Sequence, residues 1–286
     1  MRHTIIFPLC LGSALMLSAC SEQKDTEVDK AMDVVNVIDE SNLNDVMLTA
    51  ADPDEAVAYF TRATSEQPDR IDLQRGLALA HVRAKNPREA SRAWTKVVSM
   101  EGHNDEDRLG LADALIRNGD WDKAEAELDR IPPTYETFRR YRLEAMVADS
   151  NKDWEEADSF YEIATGLTTR PAGVLNNWGY SKLSRGDFGG AERLFTEALT
   201  YDPNLFTAKN NLVLARGAQR KYDLPIVQMT QTERAQLLYT SALSAIKQGD
   251  VSTGKALLHN AIETHPQHFD AAVRSLEALD DNVSRG

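Results

Sequence analysis

Cysteine is nearly absent. The two in the chain, Cys10 and Cys20, both fall within the first twenty residues, and none follows. The remainder has no disulfide and no thiol pair for redox or thiolate–metal chemistry, and must draw its stability from packing. Basic residues are outnumbered, 32 Lys and Arg against 45 Asp and Glu, for a formal charge of -13. A phosphate-binding face needs the opposite balance, which argues against nucleic acid as a partner and against broad electrostatic attachment to anionic lipid. Strand-like alternation is nearly missing, and Gly and Pro fall at intervals rather than in clusters, so helix signals dominate. No P-loop, G-x-S-x-G, H-E-x-x-H or C-x-x-C occurs, and neither an enzyme nor a cofactor is expected. The one grouping of metal-ligand types is "HNAIETHPQH". His259 and His265 stand six apart, which is not one helix face, and Pro266 separates His268. They are read as exposed histidines, with no metal site.

What is present begins with "MRHTIIFPLCLGSALMLSAC". Arg2 supplies a positive start, an apolar run follows from about Thr4 to Leu17, and small residues come next. This reads as a secretory signal over residues 1–19, too short to be a comfortable membrane span. Its end, "LSAC" at Leu17–Cys20, resembles the lipobox of bacterial lipoproteins. The resemblance implies cleavage before Cys20, a diacylglycerol on its sulfur and acylation of its amine. Several acyl chains give a lasting anchor, at about 0.8 kcal/mol per buried CH₂. Cleavage would remove Arg2 and no acid, taking the charge to -14. Ser21, by the same resemblance, leans toward the outer membrane. Residues 21–30, "SEQKDTEVDK", are polar and charged with almost nothing to bury, so residues 20–36 read as a lipidated cysteine and a flexible tether.

Beyond the tether the chain repeats. Alanines followed four residues later by a bulky residue recur at Ala56/Phe60, Ala90/Trp94, Ala124/Leu128, Ala157/Tyr161 and Ala191/Phe195, 34, 34, 33 and 34 residues apart. Seven residues after each alanine stands Ala63, Val97, Ile131, Ala164 or Ala198, and steps of four and three keep all three positions on one helix face. Before these helices come "NGDW", "NKDW", "RGDF" and "QGDV". In such turns the glycine suits a left-handed helix end and the aspartate suits the next N-cap. Pro68, Pro203 and Pro266 mark exits.

This pattern resembles the tetratricopeptide repeat, a 34-residue helix-turn-helix unit, most closely in "LNNWGYSKLSRGDFGGAERLFTEALTYDPN". It implies an all-α, right-handed superhelical solenoid. The array is expected over residues 37–222, with units at about 37–70, 71–104, 105–137, 138–171 and 172–205 and a further first helix from near Leu205. Pro87 in place of the turn aromatic, and "IPPT" at Ile131–Thr134, mark two irregular units. The pattern breaks at "KYDLPIVQMTQTER", where Pro225 occupies the alanine position. Residues 223–232 are therefore read as a loop, with Thr230 and Glu233 forming a capping box that restarts a helix. Residues 233–281 make a last repeat, with Gly254 in the alanine position, and a terminal capping helix.

First helices of such units line a concave face. Stepping back from the glycine position gives Arg75, Arg139, Arg142, Asn176, Tyr180, Asn210 and Tyr239 as candidate partner-binding residues. Amides can pair with an extended peptide backbone, and tyrosines can cover apolar side chains. Arg139 and Arg142 could receive an acidic or C-terminal group, or pair internally with Glu106 or Asp149. Asn177 and Asn211, two residues before the glycine-like position, read mainly as fold signature.

The lipobox, the array and the tail "KNNLVLARGAQRKYDLP…TERAQLLYTSALSAIKQGDVSTGKALLHNAIETHPQHFDAAVRSLEAL" together resemble the TadD family, repeat lipoproteins of tight-adherence (Tad/Flp) pilus assembly systems. The resemblance implies an outer-membrane lipoprotein facing the periplasm and acting like a pilotin. Its partner would be a protein or peptide segment of the pilus secretion complex, a secretin among the candidates. The alternative is a repeat lipoprotein serving outer-membrane protein insertion, cell-wall or division machinery.

Overall fold

The computed structural model describes residues 43–284. The signal segment, Cys20, the tether and residues 37–42 of the first expected repeat lie outside the described residues. Within them the elements are helices and turns, with no strand. No helix there is long and apolar enough to cross a membrane.

Two compact units divide at His103 and Asn104. In the first, α1 (residues 43–49) precedes α2 (Pro53–Glu66), α3 (Ile71–Arg83) and α4 (Pro87–Val98). Asp52 caps α2 by accepting from Asp54 N at 2.9 Å, and Pro53 takes the first helical position, where a missing N–H costs nothing. Pro87 does the same for α4, so its replacement of the turn aromatic leaves that helix intact. Ala56 and Phe60 are fully buried with Leu73 and Ala80. A Cβ on Gly76 would lie 2.2 Å from the Phe60 ring, which is why the crossing of α2 and α3 needs glycine.

The second unit holds α5 (Asp105–Asn118), α6 (Trp121–Leu128), α7 (Phe138–Asn151), α8 (Trp154–Gly166), α9 (Ala172–Ser184), α10 (Phe188–Tyr201), α11 (Phe206–Ala218), α12 (Gln231–Lys247), α13 (Val251–Thr264) and α14 (Asp270–Ser284). Ala124, Ala157 and Ala191 are wholly buried, and so are Phe195 and Ala198. Each large apolar side chain so buried contributes about 1.5–3 kcal/mol. The irregular third unit has the shortest of these helices, α6, of eight residues.

The turns use one backbone state with different residues. Gly119, Gly186 and Gly249 adopt φ of 82°, 85° and 83°, but Lys85, Lys152 and Arg220 adopt the same left-handed region at 58°, 66° and 60°. The turn geometry is imposed by the helix pair, and glycine only relieves it. The aspartates divide likewise. Asp187 and Asp250 cap, accepting from Gly190 N at 2.9 Å and Thr253 N at 3.1 Å. Asp120 and Asp153 make no side-chain cap bond, contrary to expectation. Asp120 instead accepts from Lys123 Nζ at 2.9 Å.

Successive repeats are clasped by carboxylates that directly follow the packing alanines. Asp158 on α8 accepts from Lys182 Nζ at 2.8 Å, from Trp178 Nε1 at 2.6 Å and from the Arg185 guanidinium on α9. One repeat later, Glu192 on α10 accepts from Arg216 Nη1 at 2.8 Å, Gln219 Nε2 at 3.0 Å and Lys221 Nζ at 3.1 Å. Burial pushes both carboxyls up, but the donors outweigh it and hold them below their ordinary range. At the equivalent position after Gly254 the sign reverses, and Lys255 Nζ donates to Asp280 at 2.6 Å.

Between α11 and α12 the chain runs without helix. Leu224 packs on the core under α12–α14 and Val227 on that under α9–α11, while Ile226 is exposed. The capping box is present: Glu233 N donates to Thr230 Oγ1 at 3.2 Å, and Thr230 N to Glu233 Oε2 at 2.8 Å. It starts α12 at Gln231, two residues before the expected boundary. Glu233 also accepts from the buried Lys209 Nζ at 3.0 Å.

Candidate ligand-binding groove

A cavity of about 490 Å³ opens within the second unit among α7, α9 and α11. First helices present it because their other faces are committed to second helices. Leu175 on α9 and Leu212 on α11 are buried with Phe195, and Ala145 and Ala148 on α7 are buried with Tyr161. The positions left over are polar or aromatic.

The floor is Asp149. Its Oδ1 accepts from Ser181 Oγ at 2.6 Å and its Oδ2 from Tyr161 OH at 2.9 Å, so one carboxylate ties α7, α8 and α9. Burial pushes its pKa up, and the two hydroxyls only partly offset this. Burial and the facing carboxylate push the Tyr161 phenol up as well. The Tyr161 ring stacks on Trp178 with centroids 6.2 Å apart.

Four asparagines form one wall. Asn211 Nδ2 donates to Asn176 Oδ1 at 3.1 Å, and Thr240 Oγ1 donates to Asn210 Oδ1 at 2.8 Å. Asn177 Nδ2 reaches Met146 Sδ at 3.5 Å. Met146, Phe206, Trp121 and Tyr180, the last 59% exposed, supply the apolar and aromatic surface.

Asn176, Tyr180 and Asn210 thus line one cavity. The division of the asparagines needs correction, because Asn177 and Asn211 line it too and Asn211 orients Asn176. The 34-residue period sets Asn176 opposite the second asparagine of the next pair. The other candidates are not among its lining residues. Arg75 belongs to the first unit, where its Nη2 donates to Gly102 O at 3.0 Å. Arg139 pairs with Glu106. Arg142 is half-buried with Nε lacking an acceptor, and burial draws its pKa down against the opposing charge of Asp113. The Tyr239 ring lies tilted against Phe269 with centroids 5.4 Å apart, and its OH meets Ser275 Oγ at 3.2 Å, facing the terminal helix. Cys20 lies outside the described residues. Asp149, Ser181, Tyr161, Trp121 and Phe206 line the groove without having been among its sequence candidates. Only Asp149 carried a signal, as an acid three residues after Met146 on the inward stripe.

Comparison with known proteins agrees with this architecture. Two tetratricopeptide-repeat profiles match, over residues 46–94 and 92–147. Curated proteins give no match. Among solved structures, the Cut9–Hcn1 hetero-tetramer of the APC/C aligns with a TM-score of 0.58 at 15% identity, over 82% of this chain and 48% of that one. The human IFIT1 dimer with PPP-AAAA aligns at 0.57 and 14%, over 82% and 60%. A tetratricopeptide repeat protein from Parabacteroides merdae aligns at 0.53 and 13%, over 91% and 99%. The chain therefore spans about half to three-fifths of the first two and nearly all of the third. Tetratricopeptide arrays serve as protein–protein interaction scaffolds, and the fold of this chain is such an array.

Proposed function

We propose that this protein is a non-enzymatic, lipid-anchored scaffold on the periplasmic face of the outer membrane, serving assembly of a Tad/Flp-type pilus secretion system. Its groove holds an extended segment of a secretin or another machine component, in a pilotin-like role. The observation that supports this most is the cavity of asparagines and aromatics on the inner helices, in a chain whose start carries the lipobox-like "LSAC". No chemistry is required of the protein. Binding positions the partner, and a lipid on Cys20 raises the partner's effective concentration at the membrane.

Deleting the gene tests this reading. Loss of surface pili and of secretin multimers is expected, and pull-down of the intact lipoprotein should recover a secretion component. Unchanged pili and multimers, or recovery of outer-membrane insertion, cell-wall or division proteins instead, would sink it. Cys20→Ala should move the protein to the soluble periplasmic fraction, and persistent membrane attachment would refute the lipid anchor.

A further inference from the structure

Among the described residues, Asp149 is the one carboxylate lining the α7–α9–α11 cavity, and no Lys, Arg or His lines it. Its oxygens take one hydrogen bond each, both from neutral hydroxyls, Ser181 at 2.6 Å and Tyr161 at 2.9 Å. Those donors are themselves fixed, at 2% and 1% exposure. A carboxylate oxygen has room for a second donor. Arg185, whose charge reaches Asp149, is paired with Asp158 and lies 5.5 Å over the Trp154 ring. A half-buried charge with no ion-pair partner is costly, and sealing it beneath an apolar group would raise that cost. A cation would remove it. Met146, Tyr180 and Phe206 beside it offer apolar and aromatic surface for an aliphatic stem, and cations favour aromatic faces.

The asparagines add a second constraint. Asn176 and Asn210 have their Oδ1 atoms engaged by Asn211 and Thr240, so each presents its Nδ2 donors. Carbonyl oxygens of an extended backbone satisfy them. A terminal carboxylate would meet Asp149 with no cation in the cavity. The surplus of acidic residues over the whole chain, 45 against 32, favours encounter with basic segments.

We infer that the cavity takes a lysine or arginine side chain from an internal, extended segment of the partner, its stem against Met146, Tyr180 and Phe206 and its cationic head at Asp149. This rests on the reading of the groove as a peptide site.

The test uses the full chain, immobilised, and a displayed library of random dodecapeptides. Enriched peptides are expected to share Lys or Arg at one fixed position. In a synthetic copy, replacing that residue by norleucine should weaken binding about tenfold or more, measured by fluorescence anisotropy. Asp149→Asn should abolish the difference between the two peptides. The norleucine comparison uses the unaltered chain, so it stands even if the variant fails to fold. Peptides sharing an apolar or acidic residue, or a free C-terminus, at that position would overturn the proposal, as would equal affinity of the norleucine copy. If no peptide is enriched, or if Asn176→Ala and Asn210→Ala leave binding unchanged, the peptide-groove reading itself fails.

Discussion

Asn211 donates its side-chain amide to Asn176 across 3.1 Å, joining α11 to α9 through residues 35 positions apart. A contact between repeats thus decides which atoms of an inner residue face the groove. Asn176→Ala and Asn210→Ala should each weaken a groove-selected peptide about five- to tenfold, as expected for losing one hydrogen bond to a ligand. Asn211→Ala should cost less, by letting the Asn176 amide turn. The double variant Asn176→Ala/Asn211→Ala should cost no more than Asn176→Ala alone, because the pair acts as a unit. Anisotropy titrations across the four variants check this, and strictly additive losses would count against it.

The Asp158 clasp should set the coupling between α8 and α9. Asp158→Asn leaves Arg185, its side chain 14% exposed, without its ion-pair partner and Lys182, 20% exposed, with only the more distant Asp187 carboxylate at 3.8 Å, and should cost about 1–3 kcal/mol. The Asp158 carboxyl lies below its ordinary value of 3.8, because the donors outweigh burial. Its contribution is therefore fully present above that value and is lost as pH falls through the lower folded one. Urea unfolding should separate wild type from variant at neutral pH and bring them together in acid. A gap that persists at low pH would assign the effect to packing.

Lys209 is 1% exposed and its Nζ donates to Glu233 at 3.0 Å. Lys209→Ala removes both the stem from the core and the partner of Glu233, and should cost about 3 kcal/mol. Lys209→Met keeps the stem and should come within about 1 kcal/mol of wild type, because Glu233, its side chain 20% exposed and still held by the Thr230 N–H, is not stranded as a buried charge. Equal losses in chemical denaturation would show instead that the ion pair dominates.

Lys152 holds φ of 66° where Gly119, Gly186 and Gly249 stand in related turns. The left-handed state strains a residue with a Cβ by about 1–2 kcal/mol, and glycine gives back part of that in chain entropy. Lys152→Gly should therefore stabilise by about 0.5–1 kcal/mol, and Gly186→Ala should destabilise by about 1 kcal/mol. Thermal melts of the two should shift in opposite directions.

The repeat was legible because its signals are local and recur in phase. Ala157, Tyr161 and Ala164 lie on one face of α8 by spacing alone, and the structure buries all three. Thr230 and Glu233 were readable as a capping box for the same reason, since both partners lie within four residues. The candidate site was readable in part. Asn176, Tyr180 and Asn210 follow from the stripe of the inner helices, whereas Arg139 and Tyr239 satisfy that spacing yet are engaged by Glu106 and by Phe269 and Ser275. Their partners come from other helices, and helical periodicity says nothing about them.

By itself the sequence determined the helical repeat, its 34-residue period and the stripe that turns inward, because each depends on contacts within one or two turns of helix. The tertiary structure alone decided which polar groups are consumed in joining the repeats and which stay available. Asp158 and Glu192 are spent as clasps, while Asp149, held only by neutral hydroxyls, remains at the floor of the cavity. All three are acids on amphipathic helices, and their sequence positions mark the face each occupies but not its partners. What separates them is the charge that packing of the neighbouring helix brings within reach, and that is a long-range property.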